Sequence, residues 1–284
     1  MPATKPENNY SDINTELDAH SDISSALKDL DTATWYRAIS PHRMPATEEA
    51  HAMKHRFCDE TIPFLIEAGQ QTDPAWLDAR QQTYDKLVRL PFIEVAQTLK
   101  SELQQIVPDY HFPTRGIGRI RKSLNKVVSG GAHFKDWLSL SASRPPSSRF
   151  ERNPHLFFGI LPDIEPYRGV IVAGGLFMPT GPQLKKVRYA IAANSRPFHD
   201  VLDDKAFKAR FHTGFSTQST SARMPRGFDP DHPDAGWLRL KAFLVVKKLS
   251  MTEFTSDMLA LSIVEDCKQL IRLNRVLEAA LDNA

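Results

Sequence analysis

The sequence is poor in cysteine and has no long hydrophobic run. Its two cysteines, Cys58 and Cys267, lie far apart in a chain of 284 residues and form no CxxC pair. This usage differs from that of disulfide-stapled secreted domains and indicates a reducing compartment. No stretch approaches the roughly 18 apolar residues of a membrane span. The first residues also lack the basic and apolar regions of a secretory signal. We therefore expect a cytoplasmic protein with no membrane partner.

Sequence signatures of several enzyme classes are also missing. The chain contains no GxSxG nucleophile elbow, no P-loop, no GxGxxG dinucleotide motif and no HExxH zinc motif. Neither cysteine lies beside a predicted base. We therefore predict no cofactor and no resident metal, and any functional site must be found in less specific clusters of polar residues.

The composition is that of an ordinary globular protein, with 41% hydrophobic and 25% charged residues. The net charge of +2 conceals an uneven distribution, because residues 1–60 hold six Lys/Arg and eleven Asp/Glu. Between Arg115 and Arg152, nine basic residues face only Asp136 and Glu151. Such a stretch suits an acidic partner or a phosphate-bearing ligand. The alternative is a solvated sheet face with its loops.

The order of predicted elements indicates an α+β fold in which an antiparallel sheet of about five strands packs with helices. We expect a disordered tail at 1–20, a helical extension at 21–70 and an α+β domain at 71–284. A helix is predicted from Thr47 to Gly69 with a kink at Pro63, and another from Pro74 to Ser101 with an interruption at Pro91. The predicted strands lie within residues 116–123, 136–143, 156–161, 168–178 and 237–249. Gly174 and Gly175, inside the fourth strand, predict a bulge or a close backbone approach.

The segment PRGFDPDHPD, residues 225–234, holds four potential ligating side chains within six positions. It contains Asp229, Asp231, His232 and Asp234 among three prolines and a glycine. A metal site usually gathers its ligands from separate elements, whereas proline and glycine fix tight turns. The pattern favours a rigid polar loop, in which Asp229 caps neighbouring amides and Asp234 caps a helical turn. A polar pocket wall and a metal site remain the alternatives.

Two further clusters carry possible chemistry. Arg119 and Arg121 alternate on a predicted strand, so both would point to one sheet face and could bind a carboxylate or phosphate. The same pocket would include Lys241, Arg239 and Arg188; alternatively, the arginines pair with acidic residues and hold a loop in place. The second cluster is His51, His55 and Cys58, which have the spacing of one helical face and suit either a zinc half-site or a packed stripe.

Four blocks of the sequence resemble the widespread bacterial and fungal family known as domain of unknown function 2461. The first contains Trp76, Arg80, Tyr84 and Pro91-Phe92, and the second is Arg119-Ile120-Arg121. The others are VIVAGGLFMPTGPQLKKVR, which ends at Arg188, and MPRGFDPDHPDAGWLRLKAFLV. The chain departs from the family in SLNKVVSGGAHFKDWLSLSAS, residues 123–143, where the family usually has a lysine-rich FSKDKTPYK segment. The resemblance implies a fold and supplies no activity.

Taken together, these features favour a binding domain that recognises an anionic ligand or a protein partner, such as a toxin-related or immunity-like one. The expected site residues are Arg119, Arg121, Lys241, Asp229, Asp231 and His232. The alternative is an enzyme for a phosphate- or carboxylate-bearing substrate, with the arginines as an anion clamp and His232 or Asp231 as the acid–base group. The nearly balanced charge and the lack of a recognised motif argue against nucleic acid.

Overall fold

The computed structural model describes residues 52–282, except Ser147 and Arg149. The tail predicted at 1–20, the extension up to His51 and the first turns of the helix predicted from Thr47 lie outside the described residues. The first described helix is α1 (Thr61–Gly69). His55 and Cys58 precede it in irregular chain, so their prediction as part of a helical stripe is wrong. Pro63 lies in the first turn of α1, where no backbone N–H is required.

The second predicted helix contains a π-helical turn in place of a simple interruption. A 3₁₀ turn (Asp78–Arg80) leads into α2 (Gln81–Tyr84), then the π turn (Asp85–Arg89) and α3 (Leu90–Leu103). Pro91 has no N–H to donate to the carbonyl of Leu87 one turn earlier. The buried hydroxyl of Thr61 donates to that oxygen at 2.9 Å, which satisfies it.

The sheet is an antiparallel meander of four strands in the order β1-β2-β3-β4. The strands are β1 (Leu138–Ser143), β2 (His155–Leu161), β3 (Gly169–Leu176) and β4 (Phe243–Leu249). The first of the five predicted strands, at 116–123, is absent from the sheet. Strand β3 is buried along nearly all its length, on both faces, in keeping with its continuous apolar run.

The second half of the described chain contributes six further helices. They are α4 (Gly181–Ala193), α5 (Arg196–Leu202), α6 (Lys205–Arg210), α7 (Ala235–Leu238), α8 (Met251–Phe254) and α9 (Leu259–Asp282). A capping box at Thr180 starts α4, with Pro182 in its first turn as predicted. Helix α9 packs against β3 and α3, and Leu270 contacts β3 at Gly174, which has no side chain.

The α+β fold predicted from the sequence is therefore confirmed, with a four-stranded antiparallel sheet. Within residues 52–282, no helix combines the length and the apolar character needed to cross a membrane. The segment between β3 and β4 brings residues 188–199 and 219–241 together, through the contacts of Arg188 with Leu240 and of His199 with Asp234.

Candidate functional site

Arg119 and Arg121 lie in a loop, so their prediction as neighbours on a strand is wrong. Gly116 and Gly118 both adopt positive φ, at 68° and 73°, and this bends the chain where an extended strand was expected. Arg121 makes only an isolated bridge with Phe134. Arg121 fits a structural role, in which it pairs with an acidic residue and holds a loop in place, better than it fits an anion clamp.

The side chain of Arg121 holds the loop before α2. Its Nη1 donates to the carbonyl of Pro74 at 2.6 Å, and its Nη2 lies 2.8 Å from the carboxylate of Asp78. The guanidinium also lies 5.1 Å from the ring centroid of Phe134. Arg119 is exposed. The Arg121 side chain therefore contacts the loop before α2 and Phe134, whereas Lys241 lies just before β4.

The loop of residues 225–234 is a series of turns, as its prolines and glycine predict. Gly227 has φ of 90°, which its lack of a side chain permits. Asp229 Oδ1 accepts from the amide of Asp231 at 2.9 Å, so the predicted capping by Asp229 is confirmed. Asp229 and Asp231 are otherwise exposed. The helical turn after Asp234 also forms, as α7, but the Asp234 side chain does not cap it.

The carboxylate of Asp234 instead binds a histidine from α5, which we call the His199 clasp (His199, Asp203 and Asp234). His199 Nε2 lies 2.8 Å from Asp234 Oδ1, and its Nδ1 lies 2.9 Å from Asp203 Oδ2. The imidazole also packs on Trp237, with ring centroids 4.4 Å apart. Because both ring nitrogens face carboxylates, the protonated imidazole satisfies both contacts, and the clasp fastens the 225–234 loop to α5.

The electrostatics of the clasp follow from this arrangement. The pKa of His199 is raised above its ordinary value, first by the hydrogen bond to Asp203 and then by the one to Asp234. Burial alone would raise the pKa of Asp234. Hydrogen bonds from Ser195 and His199, together with the charge of His199, outweigh burial and lower it. Lys208 lies 2.8 Å from Asp203 and, with His199, lowers the pKa of that carboxyl.

A cleft of about 480 Å³ opens beside the clasp and includes His232. It is lined by residues 191–196, 199, 200 and 232–234. His232 Nδ1 accepts from the amide of Asp234 at 2.9 Å, which requires an unprotonated Nδ1 and leaves the proton of the neutral ring on Nε2. His232 therefore offers a hydrogen-bond donor to this cleft, as a polar pocket wall would.

The arginine at the end of the third resembling block, Arg188, is buried on α4 with only 9% of its surface exposed. Its Nη2 donates to the carbonyl of Leu240 at 2.8 Å, whereas its buried Nε has no hydrogen-bond partner. Within the described part of the chain, no carboxylate pairs with this guanidinium. Burial accordingly lowers the pKa of Arg188.

Arg239 and Lys241 flank the carbonyl that Arg188 binds, and the three residues are called the basic cluster below. The Nε of Arg239 is also buried without a partner. Its carbonyl accepts from Ser221, and the amide of Lys241 donates to Ser219, both at 2.8 Å. The side chain of Lys241 is exposed. The structure thus places the Arg188 side chain against the backbone of the segment that contains Arg239 and Lys241, whereas the contacts of Arg121 lie at other elements.

Sequence reasoning missed the His199 clasp. The signal available was the pair His199 and Asp203 in RPFHDVLDD, because residues four apart share a face of a helix. The contact with Asp234 has no such signal, since it joins residues that are 35 positions apart. In the described segments, no group of three or more His, Cys, Asp or Glu side chains has the geometry of a metal site.

The comparisons with known proteins agree with the sequence motifs. A family model described as "Conserved hypothetical protein (DUF2461)" matches residues 60–275, which is more than half of the chain. The match spans all four resembling blocks, both sides of the cleft and the basic cluster. Neither the curated proteins nor the solved structures gave a match. The chain therefore belongs to the DUF2461 family of conserved hypothetical proteins.

Proposed function

We propose that this protein is a cytoplasmic binding domain for an anionic ligand or an acidic protein partner, and that the basic cluster is the centre of its binding site. The proposed ligand is of the same class as the one predicted from the sequence, and Lys241 remains a site residue. The centre of the proposed site is Arg188 in place of Arg119 and Arg121. The observation that carries the proposal is the burial of the Arg188 guanidinium without a carboxylate partner.

A buried charge without a counter-ion is costly, because the hydration it loses is not replaced. The penalty amounts to several kcal/mol per ion in real proteins. One hydrogen bond to the carbonyl of Leu240 offsets about 1.5–3 kcal/mol of it at most. A bound carboxylate or phosphate near Arg188, Arg239 and Lys241 would supply the missing charge. Its attraction would be stronger than at a fully solvated surface.

The enzyme alternative needs a group that can take up a proton in the cleft. His232 has its Nδ1 occupied by the amide of Asp234, so its Nε2 is a donor. His199 has both ring nitrogens bound to carboxylates. Neither imidazole therefore presents a free basic nitrogen to a substrate. Asp231, the other acid–base candidate, is not among the residues that line the cleft. This geometry favours binding, with His232 as a hydrogen-bond donor at the cleft wall.

Replacement of Arg188 by methionine tests the proposal. Inorganic phosphate or citrate should raise the melting temperature of the wild-type protein. In Arg188→Met the concentration needed for the same shift should be at least about tenfold higher, which corresponds to about 1.4 kcal/mol. The unliganded variant should keep its stability within about 1 kcal/mol, because the charge that it loses is not compensated.

Arg168→Gln is the matched control, because the side chain of Arg168 is 59% exposed and lies outside both the basic cluster and the cleft. This variant should respond to phosphate and citrate as the wild type does. Lys241→Ala, at an exposed position, gives a second weakened variant without a change in the core. Equal responses of wild type, Arg188→Met and Lys241→Ala to both anions would contradict the proposal.

A further inference from the structure

A short arm of the protein, residues 119–135, presents two aliphatic side chains to solvent at its tip. Leu124 is 86% exposed and Val128 is 77% exposed, which are the two largest values among the exposed large hydrophobic residues of the described chain. Leu124 and Val128 lie within the segment, residues 123–143, where the sequence departs from its family. The arm also lies within the basic stretch between Arg115 and Arg152, and no residue of that stretch belongs to the basic cluster.

The arm is a defined structure. Its two sides are joined by hydrogen bonds from Lys122 to His133 at 2.9 Å and from Lys135 to Ile120 at 2.8 Å. The tip folds into a 3₁₀ turn, Leu124–Lys126, followed by a turn in which Gly131 donates to Val128 at 2.7 Å. Both sides are anchored to the core through the fully buried Ile120 and Phe134. The tip residues are therefore held outward by the fold.

The charged residues along the arm and the chain that leads into it have one sign. Residues 110–135 contain six Lys/Arg and no Asp or Glu. Lys122 and Lys126 border the 3₁₀ turn, and Arg115 and Arg119 are exposed on the approach to it. Arg121, already bound to Asp78, fixes the base of the arm. An exposed apolar tip therefore lies on a segment of the chain whose charged residues are all cationic.

We propose that this arm docks on a membrane surface that contains anionic phospholipids. A bilayer interface accepts aliphatic side chains without a matched groove, and its anionic headgroups attract the surrounding lysines and arginines. A nucleic acid would use the cations but would leave Leu124 and Val128 in water. The sequence prediction of no membrane partner rested on the lack of a spanning segment, and surface docking requires none.

Co-sedimentation with lipid vesicles tests the proposal. The wild-type protein should bind vesicles of phosphatidylcholine and phosphatidylserine more tightly than vesicles of phosphatidylcholine alone, and added salt should weaken the binding. Replacement of both Leu124 and Val128 by serine should lower the partition coefficient at least about tenfold. Lys122→Gln combined with Lys126→Gln should weaken the preference for phosphatidylserine.

Ile106→Ser is the matched control, because Ile106 is also an exposed aliphatic residue but lies outside the arm. All variants should keep the wild-type circular dichroism spectrum, since the altered residues of the arm tip lie outside the core. The double serine variant should still respond to phosphate, and Arg188→Met should still bind vesicles, which separates this proposal from that for the basic cluster.

Two results would overturn the proposal. The first is a wild-type protein that does not sediment with phosphatidylserine vesicles at low salt. The second is vesicle binding that depends on Lys122 and Lys126 but is unchanged by the two serine substitutions. In that case the arm would be a site for a soluble polyanion such as nucleic acid.

Discussion

Arg121 and Arg188 are the same residue type in two different electrostatic environments. Arg121 pairs with Asp78 and the carbonyl of Pro74, so its charge is compensated by the fold. Arg188 has a single carbonyl partner and is almost fully buried. The sequence treats both as candidates for anion binding, because composition does not reveal which arginine meets a carboxylate. The pairing that decides this joins residues 43 positions apart.

His199→Gln provides a test of the clasp through its pH dependence. Because the folded-state pKa of His199 is raised, its stabilisation is fully present below the ordinary value of 6.5 and is lost as pH rises through the raised pKa. The difference in unfolding free energy between wild type and variant should therefore be larger at about pH 6 than at about pH 9. Urea denaturation at both pH values measures it.

The comparison for this experiment is His212→Gln, which alters an exposed histidine outside the clasp. That variant should show no comparable difference between the two pH values. A His199→Gln difference that stays constant from pH 6 to pH 9, or that grows with pH, would mean that the imidazole does not stabilise the fold in its charged form.

At the scale of the elements, glycines decide which segments become strands and how closely the strands approach. Gly116 and Gly118 share the positive φ that prevents a strand through Arg119. Gly175 has φ of 122° at the register position opposite Leu244, and a Cβ there would collide with the carbonyl oxygen of Phe243. The close backbone approach predicted from the Gly-Gly pair is therefore confirmed.

Gly175→Ala should be severely destabilising, because the new methyl group combines a disfavoured φ with a backbone clash that no rotamer relieves. We expect a loss of at least about 2 kcal/mol in unfolding free energy, measured by urea denaturation. Gly181→Ala is the matched control, since that glycine begins α4 with open space around it, and it should change stability by less than about 0.5 kcal/mol. Equal effects of the two substitutions would exclude the steric account.

At the scale of the whole molecule, a buried ionic network joins a helix, a strand and the long C-terminal helix. Asp266 on α9 is fully buried and accepts from Arg210 on α6, and it also lies 3.1 Å from Lys247 on β4. Arg210 additionally donates to the carbonyl of Ser262 at 2.7 Å. One carboxylate thus connects three elements that are distant in sequence.

Asp266→Ala should cost about 3 kcal/mol or more, because it leaves two partly buried cations without their shared partner. The adjacent exposed pair of Glu265 and Lys268, on the solvent side of α9, gives the control. Glu265→Ala should change stability by less than about 0.5 kcal/mol. Denaturation of both variants measures the contrast, and a cost for Asp266→Ala as small as that for Glu265→Ala would show that the network does not hold the elements together.

The sequence by itself determined the α+β class, the continuous apolar run that forms β3, the position of Pro182 in the first turn of α4 and the turns of the 225–234 loop. Each of these depends on local periodicity or on the backbone preferences of proline and glycine. The sequence also identified the family, because each of the four blocks that resemble the DUF2461 family is a contiguous motif.

Only the tertiary structure decided which polar residues form a site. The His199 clasp, the Arg121 anchor and the isolated charge of Arg188 depend on contacts between residues 35 to 52 positions apart. Local patterns do not encode such contacts, since the side chain of Asp234 suits a helix cap as well as a histidine. The fold supplies the partner, and the partner determines whether a charge is structural or is left available for a ligand.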